Sequence, residues 1–350
     1  MKLVANNLIF EDCKKSCGDI KSLSELKGNS ILVTGGTGFV GKWISEIINY
    51  INKTGDYNIK LYLLARDIVK FQRQVPHLAD LPFISLIEQD AGNIHQLPID
   101  INYIIHAAGS PDNREHVSQP LNIIESFYKG TAAVLDAATR LPNLKKIIHI
   151  SSHKVYGKNE LEKSINESFS GKIENKKLDS IYAESKRIAE TLCLVYRNNF
   201  RLPIVTLRPF AFIGPYQDLD KPWAINNFIR DAILGVPIRI LGNGLSVRSY
   251  LYGSDMGYWI IKSLLEGEAG EVYNIGSAEA VSLNNLAKKI NNSLDSNNEI
   301  LNKSSKDVYT DLSVIVPDNS KIIKHFGVSQ NFNLEDSISR TIVWNQLIKK

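Results

Sequence analysis

The chain has 350 residues, 43% of them apolar, enough to bury a full core with room for one large domain and a smaller lobe. Its formal net charge of +4 comes from nearly balanced acidic and basic residues spread along the chain, and no basic run would track a phosphate backbone, so nucleic acid is not the expected partner. No apolar stretch reaches the ~18 residues that span a bilayer, and no leader-like segment opens the chain, so a cytoplasmic enzyme without a membrane partner is expected. Cys13, Cys17 and Cys193 are too scattered for a disulfide framework, and no nearby histidine turns Cys13 and Cys17 into a metal site, so no metal is expected.

Residues 1–28 read as a polar extension, a short helix or two packed outside the main fold. From there apolar runs at Ser30 to Thr34, Ile59 to Ala65, Ile84 to Glu88, Tyr103 to His106 and Ile147 to Ser151 read as buried parallel strands. Helical stretches such as Val40 to Ile51 and Leu121 to Arg140 alternate with them. A long helix from Ile181 to Asn198 leads to a sixth strand, Pro203 to Leu207. This alternation predicts an α/β fold with a Rossmann-type doubly wound parallel sheet. Past Arg208, Gly- and Pro-marked turns announce a smaller mixed α/β lobe with helices near Ile225 to Leu234, Leu283 to Asn291 and Leu334 to Leu347. The expected division is an extension over 1–28, a dinucleotide-binding domain over 29–209 to which 250–265 returns, and a substrate lobe over 210–350.

Gly35, Gly38 and Gly41 follow the first strand directly and open the first long helix. Such spacing suits a sharp turn, a close backbone approach to pyrophosphate, and a helix N-terminus whose free N–H groups meet the anion. Thr37, Phe39 and Val40 belong to the same expected cofactor cradle. The second strand ends in Ala65 where a carboxylate would hold a ribose 2'-hydroxyl, and Arg66 follows; NADP or NAD is expected, with NADP favoured because a guanidinium pairs with a 2'-phosphate. Asp90 and Ala91, ending the third strand, are placed beside the adenine, and Ala107 and Ala108, ending the fourth, leave small side chains where the cofactor passes.

Tyr182 and Lys186, four apart, share one helix face. An ordinary phenol ionises near ~10, and a neighbouring ammonium favours its phenolate, so the pair is suited to proton transfer, with Lys186 also placed to hydrogen-bond the cofactor ribose. The segment Ile150 to Gly157 ends the fifth strand on the ligand-binding edge.

Together the glycine loop, the Ser-Ser-x-x-Val-Tyr-Gly segment at 151–157 and Tyr182-Ala-Glu-Ser-Lys186 resemble the NAD(P)-dependent epimerase/dehydratase family, extended short-chain dehydrogenases/reductases acting on nucleotide sugars. The resemblance runs from about 29 to 345. It implies that Ser152 hydrogen-bonds the reacting sugar oxygen, that Arg248 holds the diphosphate, that Ser110, His153, Ala211 and Asn226 lie at the substrate, and that the chain forms a homodimer. Two departures stand out: Ala211 replaces an Asn common near the phosphate, and Phe127 replaces the Asn of an Asn-Val-x-Gly-Thr segment. Dehydratases of the family often carry Asp-Glu where this chain has His153 and Lys154. Lys154 is read as a candidate base and His153 as a candidate acid near neutrality. The expected activity is epimerisation of a nucleotide-diphosphate sugar through a transient keto sugar; a 4,6-dehydratase, a keto-sugar reductase and a non-catalytic nicotinamide sensor are the alternatives.

Overall fold

The computed structural model describes residues 2–159, 163–173, 178–294, 297–302 and 313–349. In chain order they form α1 (Lys2–Cys17), β1 (Ser30–Thr34), α2 (Phe39–Gly55), β2 (Lys60–Ala65), α3 (Ile68–Gln74), α4 (Pro76–Ala79), β3 (Ile84–Glu88), β4 (Ile101–His106), α5 (Asn113–Ser118), α6 (Pro120–Ala138), β5 (Lys146–Ile150), α7 (Ile181–Phe200) and β6 (Ile204–Pro209). There follow β7 (Ala211–Ile213), α8 (Ala224–Ile233), β8 (Ile238–Ile240), β9 (Val247–Arg248), β10 (Tyr250–Tyr252), α9 (Gly253–Glu266) and β11 (Val272–Ile275). The last elements are β12 (Val281–Ser282), α10 (Leu283–Asn292), β13 (Ile300–Asn302), β14 (Val314–Ile315), α11 (Ser320–Phe326) and α12 (Leu334–Lys349).

Seven strands form one parallel sheet in the order β11-β6-β5-β4-β1-β2-β3. Parallel strands need helical crossovers, and these cover both faces. Ile31 and Val33 of β1 pack into one core with Trp43 and Ile47 of α2 and Met256 and Ile260 of α9, while Leu32 between them packs into another with Val134 and Leu135 of α6 and Cys193 of α7. The strand order reverses at β1, whose neighbours are β2 and β4, and the crevice outside the carboxyl ends there is where such sheets take ligands.

The six expected strands are present, with ends shifted by up to two residues. A seventh, β11, carries Asn274 in its middle, a residue that argues against a strand until its partners are seen. The Asn274 side chain accepts a hydrogen bond from the Tyr156 hydroxyl at 2.6 Å and donates to the carbonyls of Ile165 and Asp318, so its burial leaves no polar group wanting. The stretch after Tyr252 forms α9, which packs on α2 so closely that a Cβ at Gly253 would stand 2.1 Å from the Trp43 indole. No helix among the described residues is long and apolar enough to cross a membrane.

The N-terminal segment departs from the expectation of a helix outside the fold. Ile9, Cys13 and Cys17 of α1 are buried in the main core, against α2, α9 and α12. Beside them the fully buried Asp12 accepts from the Tyr252 hydroxyl at 2.6 Å and pairs with Arg340, while the Ser16 hydroxyl donates to Asp255 at 2.7 Å. Burial pushes the Asp12 carboxyl up to about 6, with Tyr252 and Arg340 drawing it down. Asp12→Ala leaves a phenol and a guanidinium without their partner, so urea denaturation should show a loss of about 2–4 kcal/mol. Because the folded carboxyl lies above its ordinary value, its stabilising share is full below ~4 and lost through about 6; the deficit of the variant should therefore be larger at pH 5 than at pH 7.5.

Candidate active site

The loop from β1 to α2 crosses the end of β4. Gly35 has φ +67, and a Cβ there would sit 2.7 Å from the Ala107 carbonyl oxygen; a Cβ at Gly41 would lie 2.1 Å from the oxygen of Gly36. Only bare backbone fits at both places. Gly38 is the N-cap of α2, no side chain caps it, and the first turn holds no acidic residue, so the N–H groups there have no anionic partner from the helix itself. These residues fit a dinucleotide pyrophosphate. Thr37, Phe39 and Val40 are half-buried along the loop, and the Phe39 ring stacks on Phe212 of β7 with centroids 6.3 Å apart.

Ala65 ends β2, and beyond it Arg66 is exposed, its guanidinium 3.9 Å from the Asp90 carboxylate. Asp67 accepts from the Lys70 amide at 2.9 Å and so caps α3. Asp90 accepts from the Gly92 amide at 2.8 Å, which turns the chain at the half-buried Ala91. At the end of β4, Ala107 and Ala108 are half-buried and small, and the Ala108 amide donates to the Thr34 hydroxyl at 3.3 Å. Beneath them His106 lies 2.7 Å from the Thr34 hydroxyl and 3.2 Å from that of Thr131; burial, then the charge of Lys186, holds its pKa down to about 3. The ring is therefore neutral at physiological pH.

Tyr182 and Lys186 stand one turn apart on α7, at the end of β5. The Lys186 ammonium, 5% exposed, donates to the Ile150 carbonyl at 2.7 Å. Burial draws its pKa down to about 7, against the pull of the Glu190 carboxylate. Burial pushes the Tyr182 phenol up to about 12, against a hydrogen bond with Ser152 that favours phenolate. Ser152 also accepts from the Lys154 amide at 3.2 Å, so one hydroxyl both caps the turn His153–Tyr156 and reaches the phenol. One turn beyond Lys186, Glu190 accepts from the Ser151 hydroxyl at 2.5 Å and forms a two-point pair with Arg208, at 3.0 and 2.7 Å. This network ties α7 to β5 and β6.

Two rings complete the surroundings of Tyr182. His116 of α5 stacks on it, with centroids 4.3 Å apart and planes 12° apart, while its Nε2 donates to the Ser110 carbonyl at 2.8 Å. Phe127 of α6 stands nearly perpendicular to Tyr182 at 5.4 Å and carries the Lys186 ammonium 4.4 Å above its centre. Nothing in the spacing of the sequence marks His116. Phe127 shows there only as a departure from a familiar segment.

His153 and Lys154 stand on the turn after β5. The His153 Nδ1 donates to the Pro209 carbonyl at 3.2 Å, its ring stacks on Phe210 at 5.2 Å, and burial together with Lys154 holds its pKa down to about 3. A ring neutral far below neutrality is no acid at pH 7. Lys154 is exposed.

Among the substrate-side residues, Arg248 is half-buried and donates to the carbonyls of Val247 and Ser313 at 2.8 and 2.9 Å. Ala211 is half-buried on β7, and the Ser110 hydroxyl accepts from the Asp112 amide at 3.3 Å. Asn226 is 1% exposed and donates to the Asp218 carbonyl at 2.8 Å, while its buried Oδ1 has no hydrogen-bond partner among the described residues. From the 218–223 loop Lys221 reaches the buried Asp112 at 3.0 Å, joining it to the N-terminus of α5. Among the described residues no group of three His, Cys, Asp or Glu is arranged to hold a metal.

A sequence profile described as the NAD dependent epimerase/dehydratase family matches residues 31–276. The chain is 28% identical over 320 residues to a UDP-N-acetyl-alpha-D-glucosaminuronate decarboxylase of Bacillus cytotoxicus, covering 89% of this chain and 96% of that one. It is 27% identical over 274 residues to UDP-glucuronic acid decarboxylase 2 of Arabidopsis thaliana, covering 78% of this chain but 59% of that longer protein. A crystal structure of UDP-glucuronic acid 4-epimerase from Bacillus cereus with UDP-glucuronic acid and NAD superposes with a TM-score of 0.77 at 23% identity, over 91% of this chain and 99% of that one.

The depressed Lys186 has a measurable consequence. Between about 7 and the ordinary 10.5 the unfolded chain carries a proton on this lysine that the folded one lacks, so stability rises with pH across that window. In urea denaturation without cofactor, the difference between the wild type and Lys186→Met should shift toward the wild type by on the order of 3 kcal/mol from pH 7 to pH 9.5. A flat difference would mean that Lys186 keeps an ordinary pKa.

Proposed function

This chain belongs to the NAD dependent epimerase/dehydratase family, and on that premise we propose that it inverts a hydroxyl-bearing carbon of a nucleotide-diphosphate sugar through a transient keto sugar. The observation that carries the reading is the meeting of Tyr182, Lys186 and Ser152 at the end of β5, on the sheet edge that also holds the glycine cradle. A bound nicotinamide supplies the hydride acceptor and donor. Tyr182 takes the sugar hydroxyl proton and returns it, Ser152 hydrogen-bonds the same oxygen, and Lys186 places a positive charge beside the phenol. Dehydration needs a second acid and base, and the neutral His153 and exposed Lys154 give little support to that route.

A second reading, decarboxylation of a nucleotide-linked uronic acid, is favoured by the relatives named above. The same oxidation, made next to a carbon that bears a carboxylate, yields a β-keto acid that loses carbon dioxide; the enolate left behind takes one proton at carbon before the hydride returns. Incubating the enzyme with UDP-glucose, UDP-glucuronic acid, UDP-N-acetylglucosamine and TDP-glucose separates these outcomes by mass and stereochemistry. Unchanged mass with an inverted centre supports epimerisation, released carbon dioxide replaces it with decarboxylation, and lost water with solvent deuterium in the product overturns both. Tyr182→Phe should lower turnover by about 10²- to 10⁴-fold while leaving nicotinamide binding intact.

For the cofactor, Ala65 at the strand end, the capping duty of Asp67 and the exposed Arg66 support NADP as the preferred form. Fluorescence titration should then show NADPH binding more tightly than NADH, and the difference vanishing in Arg66→Ala.

The homodimer is proposed through α6 and α7, which pack side by side and leave Leu121, Ile124, Ile188 and Val195 exposed. Light scattering should find a dimer for the wild type and a monomer for the double variant Ile124→Glu, Val195→Glu.

A further inference from the structure

The Lys186 ammonium has three hydrogens to place and has given up nearly all its water, yet the described contacts give it one carbonyl, that of Ile150. The charged and titratable groups around it come from three elements. On α7 are Glu190, whose carboxylate is engaged with Arg208 and Ser151, and the buried thiol of Cys193. On β4 and β5 are His106 and His149, both held neutral by burial first and by the Lys186 charge second. A π face supplies what these leave missing, because its negative quadrupole attracts a desolvated cation.

Phe127 provides that face. Its ring is 2% exposed and lies 4.4 Å beneath the ammonium and 5.4 Å from the Tyr182 ring at 76°. Gly109, at φ +134, lies so close that a Cβ there would stand 2.2 Å from the Phe127 ring, and one turn along α6 Thr131 meets His106 at 3.2 Å. The segment after β4, the helix α6 and both residues of the proton-transfer pair therefore converge on one aromatic side chain.

We propose that Phe127 is a positioning residue that holds Lys186 charged and Tyr182 in place, through the face of its ring for the first and near-perpendicular packing for the second. The proposal rests on the reading of Tyr182 and Lys186 as the pair that moves the proton. It gives a structural purpose to the phenylalanine in the Phe127-Tyr-Lys-Gly-Thr131 segment, where a side chain of similar volume but without a π face would fill the space and leave the ammonium unsupported.

The test uses the full chain with Phe127 replaced by leucine and, to keep the shape of the ring, by 3,4,5-trifluorophenylalanine, which weakens the π face. Carbon-13 NMR of ε-labelled lysine, with the Lys186 signal assigned by its loss in Lys186→Arg, reads the ammonium directly in cofactor-free and NADP-saturated protein. The midpoint of Lys186 should fall by about half to one pH unit in both variants, and kcat on whichever nucleotide sugar the wild type turns over should fall about 2- to 30-fold with KM nearly unchanged. The trifluorinated protein should keep the thermal midpoint of the wild type. If it also keeps the wild-type Lys186 midpoint and kcat while Tyr182→Phe is inactive, the role of Phe127 is overturned and the catalytic pair stands. If Tyr182→Phe remains active, the pair itself is refuted, and this proposal with it.

Discussion

Lys186 surrenders its water for one backbone carbonyl, an aromatic face and part of the field of a carboxylate already shared with Arg208 and Ser151. A buried ammonium on such terms is close to losing its proton, and its midpoint of about 7 expresses this. The fold is arranged around keeping it in place. Ile150 is the last residue of β5, a central strand paired on both sides by β4 and β6, so the accepting carbonyl cannot drift. Ser152 follows two residues later, and Glu190 fastens α7 to the neighbouring strand through Arg208. The helix that carries Tyr182 and Lys186 is therefore pinned to the sheet where the chemistry is placed.

A second constraint meets the first at the end of β4. The glycine loop passes so near Ala107 that no side chain fits at Gly35, and the space below it is filled by His106 between Thr34 and Thr131. Had that histidine been charged, it would have repelled the Lys186 ammonium across the strand. Burial keeps it neutral, so its polar contacts are met by hydroxyls and the local positive charge remains with the lysine. His149, its neighbour on β5, has no hydrogen-bond partner at either ring nitrogen among the described residues and is neutral for the same reason.

The sheet was legible because parallel strands buried on both faces leave continuous apolar runs, and β1 to β6 have them. The strand β11 was missed because Asn274 interrupts its run, and the groups that satisfy this residue, Tyr156, Ile165 and Asp318, come from distant parts of the chain. The packing of α1 was misread for a related reason: Asp12 and Ser16 look like solvent-facing residues until Tyr252, Arg340 and Asp255 are brought to them. At the site, the glycine loop and the Tyr182–Lys186 spacing are local patterns tied to one strand–loop–helix unit or one helix face. His116 and Phe127 act on Tyr182 from other helices, and His153 draws its character from Pro209 and Phe210. No local pattern encodes such meetings.

What the site can do follows from how many protons it can move. With Nδ1 committed to the Pro209 carbonyl, His153 keeps a lone pair on Nε2 but a midpoint of about 3, which makes it a feeble base and no acid at neutrality. Lys154 is exposed beside it. On the proposed reading, Tyr182, supported by Ser152 and Lys186, takes and returns the proton at the sugar oxygen. Burial pushes its phenol up to about 12 and draws the ammonium down to about 7, so neither group favours its charged form in this setting. One reversible proton is enough for a ketone that is made and then reduced on its other face; a ketone whose neighbour sheds carbon dioxide needs one more, delivered to the enolate carbon. Elimination of water asks for two more transfers. On the proposed reading, the division between inversion and decarboxylation falls to the substrate, according to whether the carbon beside the ketone carries a carboxylate.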